Sequence, residues 1–555
     1  MPRTRLSNLL ARHWASAVAL GITVVMTAGC SHHHAARAAS SSFPLVVTTD
    51  RGAVRGVISA DGQVANFLGI AYAAPPVGAL RWRRPQPVAA WTGVRSADHY
   101  GPVCAQPASG DGPGSIREDC LYINVQRPAH GNTRQRLPVY LYIHGGGLTT
   151  GAGSNFSMAK IVRETGVIGV TFNYRLGVFG FLAHPRLTAD QGEPGNYGFL
   201  DQQAALRWLR RNIAAFGGDP SRVTLGGESA GGWSVCAHLV SPGSRGLFAQ
   251  AMIQSGSCQT ETRDQADALG TSFAANVGCP DANPAQAVAC LRALPTATLV
   301  YDENTFGFTS LLVRGTPALP HDPRNAIRNG DFSHVPVLIG GTLNEGRAFT
   351  STNSGWTQSD YERWVQSMFG ANAGVVLQQY PWPANADQFA PAYLTGAIIT
   401  DAGIIGPANP PIEAGIGGCG TQALVKDLAR HTTVYAYEWA PRHGPGIVQS
   451  RGYANGAGHA SELAYLWPNF TENGVRISSL FNRDERQLSN QIVDYWGAFV
   501  KTGAPRAAGQ PSWPRYTATS AIELSLRAEG QSRPLDSSII STEHHCSLWD
   551  KLTKN

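Results

Sequence analysis

Val223-Thr224-Leu225-Gly226-Gly227-Glu228-Ser229-Ala230-Gly231-Gly232 runs from a short apolar strand through a glycine-flanked turn into a helix, Ala230 to Val240. A Gly-x-Ser-x-Gly run at a strand-to-helix turn reads as a nucleophile elbow. The tight turn forces the serine into a strained backbone conformation, and a side chain at Gly227 or Gly231 would crowd the strand or the helix. It also sets Ser229 at a helix N-terminus, where N–H groups and the helix dipole favour an anion. The five-residue pattern alone is common by chance; its flanks make it specific.

Upstream, the apolar run Val139-Tyr140-Leu141-Tyr142-Ile143 ends at His144-Gly145-Gly146-Gly147. An ordinary strand-to-loop turn needs one glycine. Three in a row let backbone N–H groups converge on an oxyanion, in the loop form associated with lipases and esterases. The expected donors are Gly146, Gly147 and Ala230.

Further strand-like runs are Val167 to Phe172, Val335 to Ile339 and Val434 to Trp439. Continuous apolar strands suit a sheet buried on both faces. Between them, Asp201 to Ala215 reads as a helix, with Asp201 in its first turn and Gly217-Gly218 past its end. The alternation predicts an α/β fold with a mostly parallel central sheet flanked by helices. With the elbow and the glycine loop, this is the α/β-hydrolase class, read as one large domain over 43–555.

A nucleophilic serine needs a base, and the base needs an orienting carboxylate. In α/β-hydrolases the chain order is serine, acid, histidine. His238, His321, His334, His431, His443, His459, His544 and His545 all follow Ser229. His238 falls within the helix after the serine and is expected to point away from the turn. His459 lies in the loop Asn455-Gly456-Ala457-Gly458-His459-Ala460, a setting that suits a shuttling imidazole. For the acid, the Val335–Ile339 strand leads to Glu345, read against the alternative of an exposed loop carboxylate.

Hydrophobic content of 43%, charged content of 15% and many glycines and prolines describe a globular chain rich in turns. A net charge of +6 on 555 residues, with no Lys/Arg cluster beyond the N-terminus, gives no reason to expect a nucleic-acid partner. Arg3, Arg5 and Arg12 precede an apolar stretch from about Ala15 to Ala28, shorter than the ~20 residues of a membrane span. This reads as an export signal. Two processing routes stand open. Thr27-Ala28-Gly29-Cys30 resembles a bacterial lipoprotein box, making 1–29 the signal, Cys30 the lipidation candidate and 30–42 a low-complexity tether to a membrane. Thr27 stands where Leu is usual, and cleavage after Ala38 is the alternative. Either way the protein is exported, in the cell envelope or secreted. His32 to His34 read as solvated linker rather than a metal site.

The chain as a whole resembles the type B carboxylesterases, the family that includes the cholinesterases. The matching runs include Phe67 to Ala73, Glu118 to Val125, His144 to Gly147, Asn173-Tyr174-Arg175, Gly195 to Gln202, Phe216 to Pro220, Gly227 to Gly232 and Gln254 to Ser257. They spread over roughly Phe43 to Asp550. The resemblance implies a Ser229–Glu345–His459 triad, with Glu228 beside the nucleophile and Ser255 close to the triad. It also singles out Asn344, which stands where the family usually has Asp. It implies disulfides Cys104–Cys120, Cys279–Cys290 and Cys419–Cys546, leaving Cys236 and Cys258 as free thiols. An oxidising compartment fits this cysteine usage.

These readings predict a serine hydrolase that cleaves small-molecule carboxylic esters of short to medium acyl chain through an acyl-enzyme, with no cofactor and no metal. A lipase for longer-chain acylglycerols is the runner-up, with Phe306 to Leu312 expected along the acyl pocket. A silent adhesion module of the same fold is the alternative from another class. Intact Ser229, Glu345, His459 and glycine loop argue against it.

Overall fold

Alternation along the strands builds the core. In β4 (Leu137–Ile143), Val139, Leu141 and Ile143 enter one apolar cluster, while Tyr140 and Tyr142 enter another on the opposite face. β8 (Val337–Thr342) and β9 (Val434–Trp439) divide the same way: Val337, Ile339, Val434 and Ala436 to the first cluster, Leu338, Tyr435, Tyr437 and Trp439 to the second. Side chains alternate across a strand, so an unbroken apolar run is what a sheet covered on both faces requires.

The computed structural model describes residues 41–552 apart from 111, 133, 188–192, 281–283, 404–415 and 448–450. The signal 1–29, Cys30, His32 to His34 and the tether up to residue 40 lie outside the described residues. Ser41 and Ser42, read as the end of the tether, instead pair as a short strand with Gly131 and His130.

Among the described residues the main sheet has eleven strands. The others are β1 (Val57–Ile58), β2 (Val64–Ala71), β3 (Tyr122–Pro128), β5 (Ile168–Phe172), β6 (Gly218–Glu228), β7 (Gln250–Gln254), β10 (Ile522–Leu526) and β11 (Arg533–Asp536). Their order is β11-β10-β9-β8-β7-β6-β4-β5-β3-β2-β1. Pairing is parallel from β10 across to β5 and antiparallel at both margins. This is the α/β-hydrolase fold, and the parallel centre aligns the strand ends from which the site is built.

Helices cover both faces. α1 (Tyr197–Asn212) and α2 (Ala230–Val240) pack on the first cluster. α3 (Arg483–Thr502) packs on the second through Leu488, Ile492, Trp496 and Phe499. Its start is fixed by a reciprocal cap: the Asn482 side chain accepts from the Glu485 N–H at 3.0 Å, and Glu485 accepts from the Asn482 N–H at 2.6 Å. Gly503 ends it in the left-handed region.

α1 corrects one expectation. It begins at Tyr197, four residues before the predicted start at Asp201. Asp201 is not a first-turn helix charge; it pairs at 2.7 Å through both oxygens with the buried guanidinium of Arg175. The first turn is buried on all sides, so it carries no amphipathic signal.

Four disulfides close among the described residues: Cys104–Cys120, Cys236–Cys258, Cys279–Cys290 and Cys419–Cys546. The second overturns the expectation that Cys236 and Cys258 are free. Cys236 lies on α2, which packs against β7, and Cys258 follows β7 by four residues, so their Cα atoms stand 5.3 Å apart. Four pairs suit an oxidising compartment. No helix among the described residues is long and apolar enough to cross a membrane.

Candidate active site

β6 ends at Glu228, and the chain turns at Ser229 into α2. Ser229 takes φ 55° and ψ −124°, a conformation that costs roughly 1–3 kcal/mol for a non-glycine residue. Two hydrogen bonds hold it there: the Ser229 N–H donates to the Gln254 carbonyl at 2.9 Å, and the Trp233 N–H donates to the Ser229 carbonyl at 3.0 Å. The flanking glycines are required by space. A Cβ on Gly231 would run into the Ile143 carbonyl, and one on Gly227 would meet Gly231 backbone.

The loop after β4 lies against this turn. A Cβ on Gly145 would come within 3.1 Å of the Ser229 Cβ. Thr149 and Thr150 donate their N–H groups to the Gly146 carbonyl, curling the loop. No carbonyl among the described residues takes the N–H of Gly146 or Gly147. His144 is neutral and structural: burial pushes it down to about 4, and its ring stacks on Tyr174 at 4.4 Å.

Glu345 follows β8 in a tight turn. Its Oε1 accepts the Thr342 N–H at 2.8 Å, and its Oε2 stands 2.6 Å from His459 Nδ1. The His459 N–H donates back to the Glu345 carbonyl at 3.2 Å. The other ring nitrogen, Nε2, lies 3.2 Å from Glu228 Oε1. Burial alone would lower the imidazole, but the carboxylates of Glu228 and Glu345 outweigh it and push His459 up to about 9. Behind them Glu462 is fully buried and accepts from Gln254 Nε2 at 3.3 Å. Burial, then the Glu345 charge, raise it to about 7. Ser255 is buried at φ 44°, its N–H on the Gly340 carbonyl at 2.8 Å.

Ser229, His459, Glu228 and Gly145 to Gly147 share the wall of one cavity of about 260 Å³. Its remaining wall is largely apolar, with Phe156, Trp233, Phe349, Ile447, Leu463 and Phe470. None of these comes from Phe306 to Leu312, the stretch expected to line the pocket. Phe308 and Leu312 are buried in the core clusters, and Phe306 packs against Phe273. Trp233, Phe349 and Leu463 lie on helices and Phe156, Ile447 and Phe470 on loops; they are scattered along the chain, so nothing local in the sequence marks them as one wall. Among the described residues no group of His, Cys, Asp and Glu is arranged to hold a metal ion.

The sequence profile of the Carboxylesterase family matches residues 44–549. The chain belongs to the carboxylesterase family. This carboxylesterase is 32% identical over 498 residues to the para-nitrobenzyl esterase of Bacillus subtilis (strain 168), covering 87% of this chain and 95% of that one. It is 31% identical over 551 residues to the cocaine esterase of Homo sapiens, covering 92% and 91% of the two chains. A solved structure of a PNB esterase superposes with a TM-score of 0.73 at 31% identity, over 90% of this carboxylesterase and 99% of that chain. Membership makes the protein a carboxylic ester hydrolase.

Proposed function

We propose that this carboxylesterase cleaves esters of short to medium acyl chain through an acyl-enzyme on Ser229, with His459 as base and Glu345 as its orienter. The observation that carries the reading is the 2.6 Å bond between Glu345 and His459 Nδ1, in a cavity that also holds the strained Ser229 and the glycine loop. Ser229 Oγ attacks the acyl carbon while His459 Nε2 takes its proton. The oxyanion of the tetrahedral intermediate accepts from the N–H groups of Gly146, Gly147 and Ala230. His459 returns the proton to the departing alcohol. Water then attacks the acyl-enzyme, with His459 again the base, and frees Ser229 and the acid. No step calls on a metal or a cofactor.

The acyl preference rests on the cavity. Its volume of about 260 Å³ is below the roughly 300–1,000 Å³ of drug-sized sites. Over a para-nitrophenyl series from acetate to palmitate, kcat/KM is expected to peak among the short acyl groups. A maximum at palmitate would assign the enzyme to long-chain acylglycerols instead.

As base, His459 works only when neutral, so the acid limb of kcat/KM lies above the ordinary histidine value near 6.5. Removing a carboxylate that raises the imidazole lowers it. Glu228→Gln is therefore expected to move the acid limb to lower pH while reducing kcat; an unmoved limb would remove Glu228 from this role.

We further propose that residues 1–29 direct export and that lipidated Cys30 tethers the enzyme to a membrane through 30–40. The lipoprotein-like run at Thr27 to Cys30 supports this. A mature protein beginning elsewhere than Cys30, read by mass spectrometry, would exclude the tether.

A further inference from the structure

His459 sits in a glycine-rich loop, and such a loop needs an external brace to hold an imidazole within the fraction of an ångström that proton transfer demands. The brace is visible one turn from the acid. The Asn344 N–H donates to the Ala457 carbonyl at 2.8 Å, and the Ala457 N–H donates to the Asn344 side-chain oxygen at 3.3 Å. Ala457 is fully buried. Three residues further, Arg347 Nη1 donates to the Ala454 carbonyl at 3.2 Å, and the Arg347 carbonyl accepts from the Tyr453 hydroxyl at 2.8 Å. The guanidinium also lies 4.7 Å over the Tyr393 ring, whose hydroxyl accepts the Ala454 N–H at 2.9 Å.

Gly456 is what lets the two side chains close over the loop. It takes φ +57°, and a Cβ there would stand 2.6 Å from Asn344 Oδ1 and 3.0 Å from Arg347 Nη1. These contacts join segments more than a hundred residues apart in sequence.

We propose that Asn344 and Arg347 are positioning residues that fasten the base loop to the acid turn, so that Glu345 and His459 are held as one unit. The carboxamide at 344 supplies the acceptor that Ala457 needs without adding a charge beside Glu345. The inference rests on the reading of Glu345 and His459 as the acid–base pair.

The test compares full-length variants on one short para-nitrophenyl ester. Asn344→Ala leaves the buried Ala457 N–H without its acceptor and is expected to lower kcat about tenfold with KM unchanged. Asn344→Asp restores the acceptor and is expected to recover most of that loss. Arg347→Met keeps the aliphatic stem, loses the donors, and is expected to lower kcat a few-fold, again with KM unchanged. A contact that served only the stability of the fold would move the melting temperature and leave kcat alone. Wild-type kcat in both Asn344→Ala and Arg347→Met, or an Asn344→Asp enzyme no faster than Asn344→Ala, would overturn the proposal. A His459→Gln enzyme with wild-type kcat would instead overturn the acid–base reading beneath it.

Discussion

Ser229→Ala is expected to lower kcat for a short para-nitrophenyl ester by about 10⁵–10⁶-fold, the scale seen when a triad nucleophile is lost. The residual rate should still exceed that of water by roughly 10³–10⁴, because a glycine loop and an apolar cavity continue to bind the ester and its developing oxyanion. The substitution removes one oxygen from a residue whose backbone bonds to Gln254 and Trp233 remain, so thermal unfolding should be unchanged. A loss of less than about 10²-fold with the fold intact would move the nucleophile elsewhere.

Glu345→Gln is the second large effect, expected to cost about 10³–10⁴-fold in kcat with little change in KM. The glutamine matches the carboxylate in shape. It can, however, present its NH₂ to His459 Nδ1, which fixes the wrong tautomer and places the proton on Nε2, where the base must be free. It also withdraws one of the charges that stabilise the imidazolium. Wild-type and variant are compared by steady-state kinetics, with circular dichroism to verify the fold. A loss below tenfold would show that the 2.6 Å contact with His459 does not serve catalysis.

The sequence exposes most of what is set locally. The elbow at Ser229 and the helix Ala230–Val240 are read directly, because a strand, two glycines and a helix start fall within a few residues. Val434–Trp439 is read to the residue, since a strand buried on both faces is apolar throughout. The contact between Glu345 and His459 needed more: their own surroundings only narrowed the candidates, and the resemblance to type B carboxylesterases singled out these two, which the structure brings within 2.6 Å. What stayed hidden is what tertiary packing alone decides. The first turn of α1 has no polar face to mark it. The Cys236–Cys258 bridge depends on α2 docking beside β7, which no spacing encodes. The cavity wall draws Phe156, Ile447 and Phe470 from separate loops and Phe349 from the short helix Arg347–Thr350, each indistinguishable in sequence from core. The brace at Asn344 and Arg347 likewise appears only when residues more than a hundred positions apart are brought together.

Trapping the acyl-enzyme decides whether the ester's acyl group passes through Ser229. The enzyme is incubated with a para-nitrophenyl ester, quenched in acid during turnover, digested and examined by mass spectrometry. The expected result is an acyl-sized mass increase on the peptide containing Ser229, absent from Ser229→Ala and accumulating in proportion to the burst of para-nitrophenol. Turnover with no adduct on that peptide, or an adduct on another residue that persists in Ser229→Ala, would contradict it.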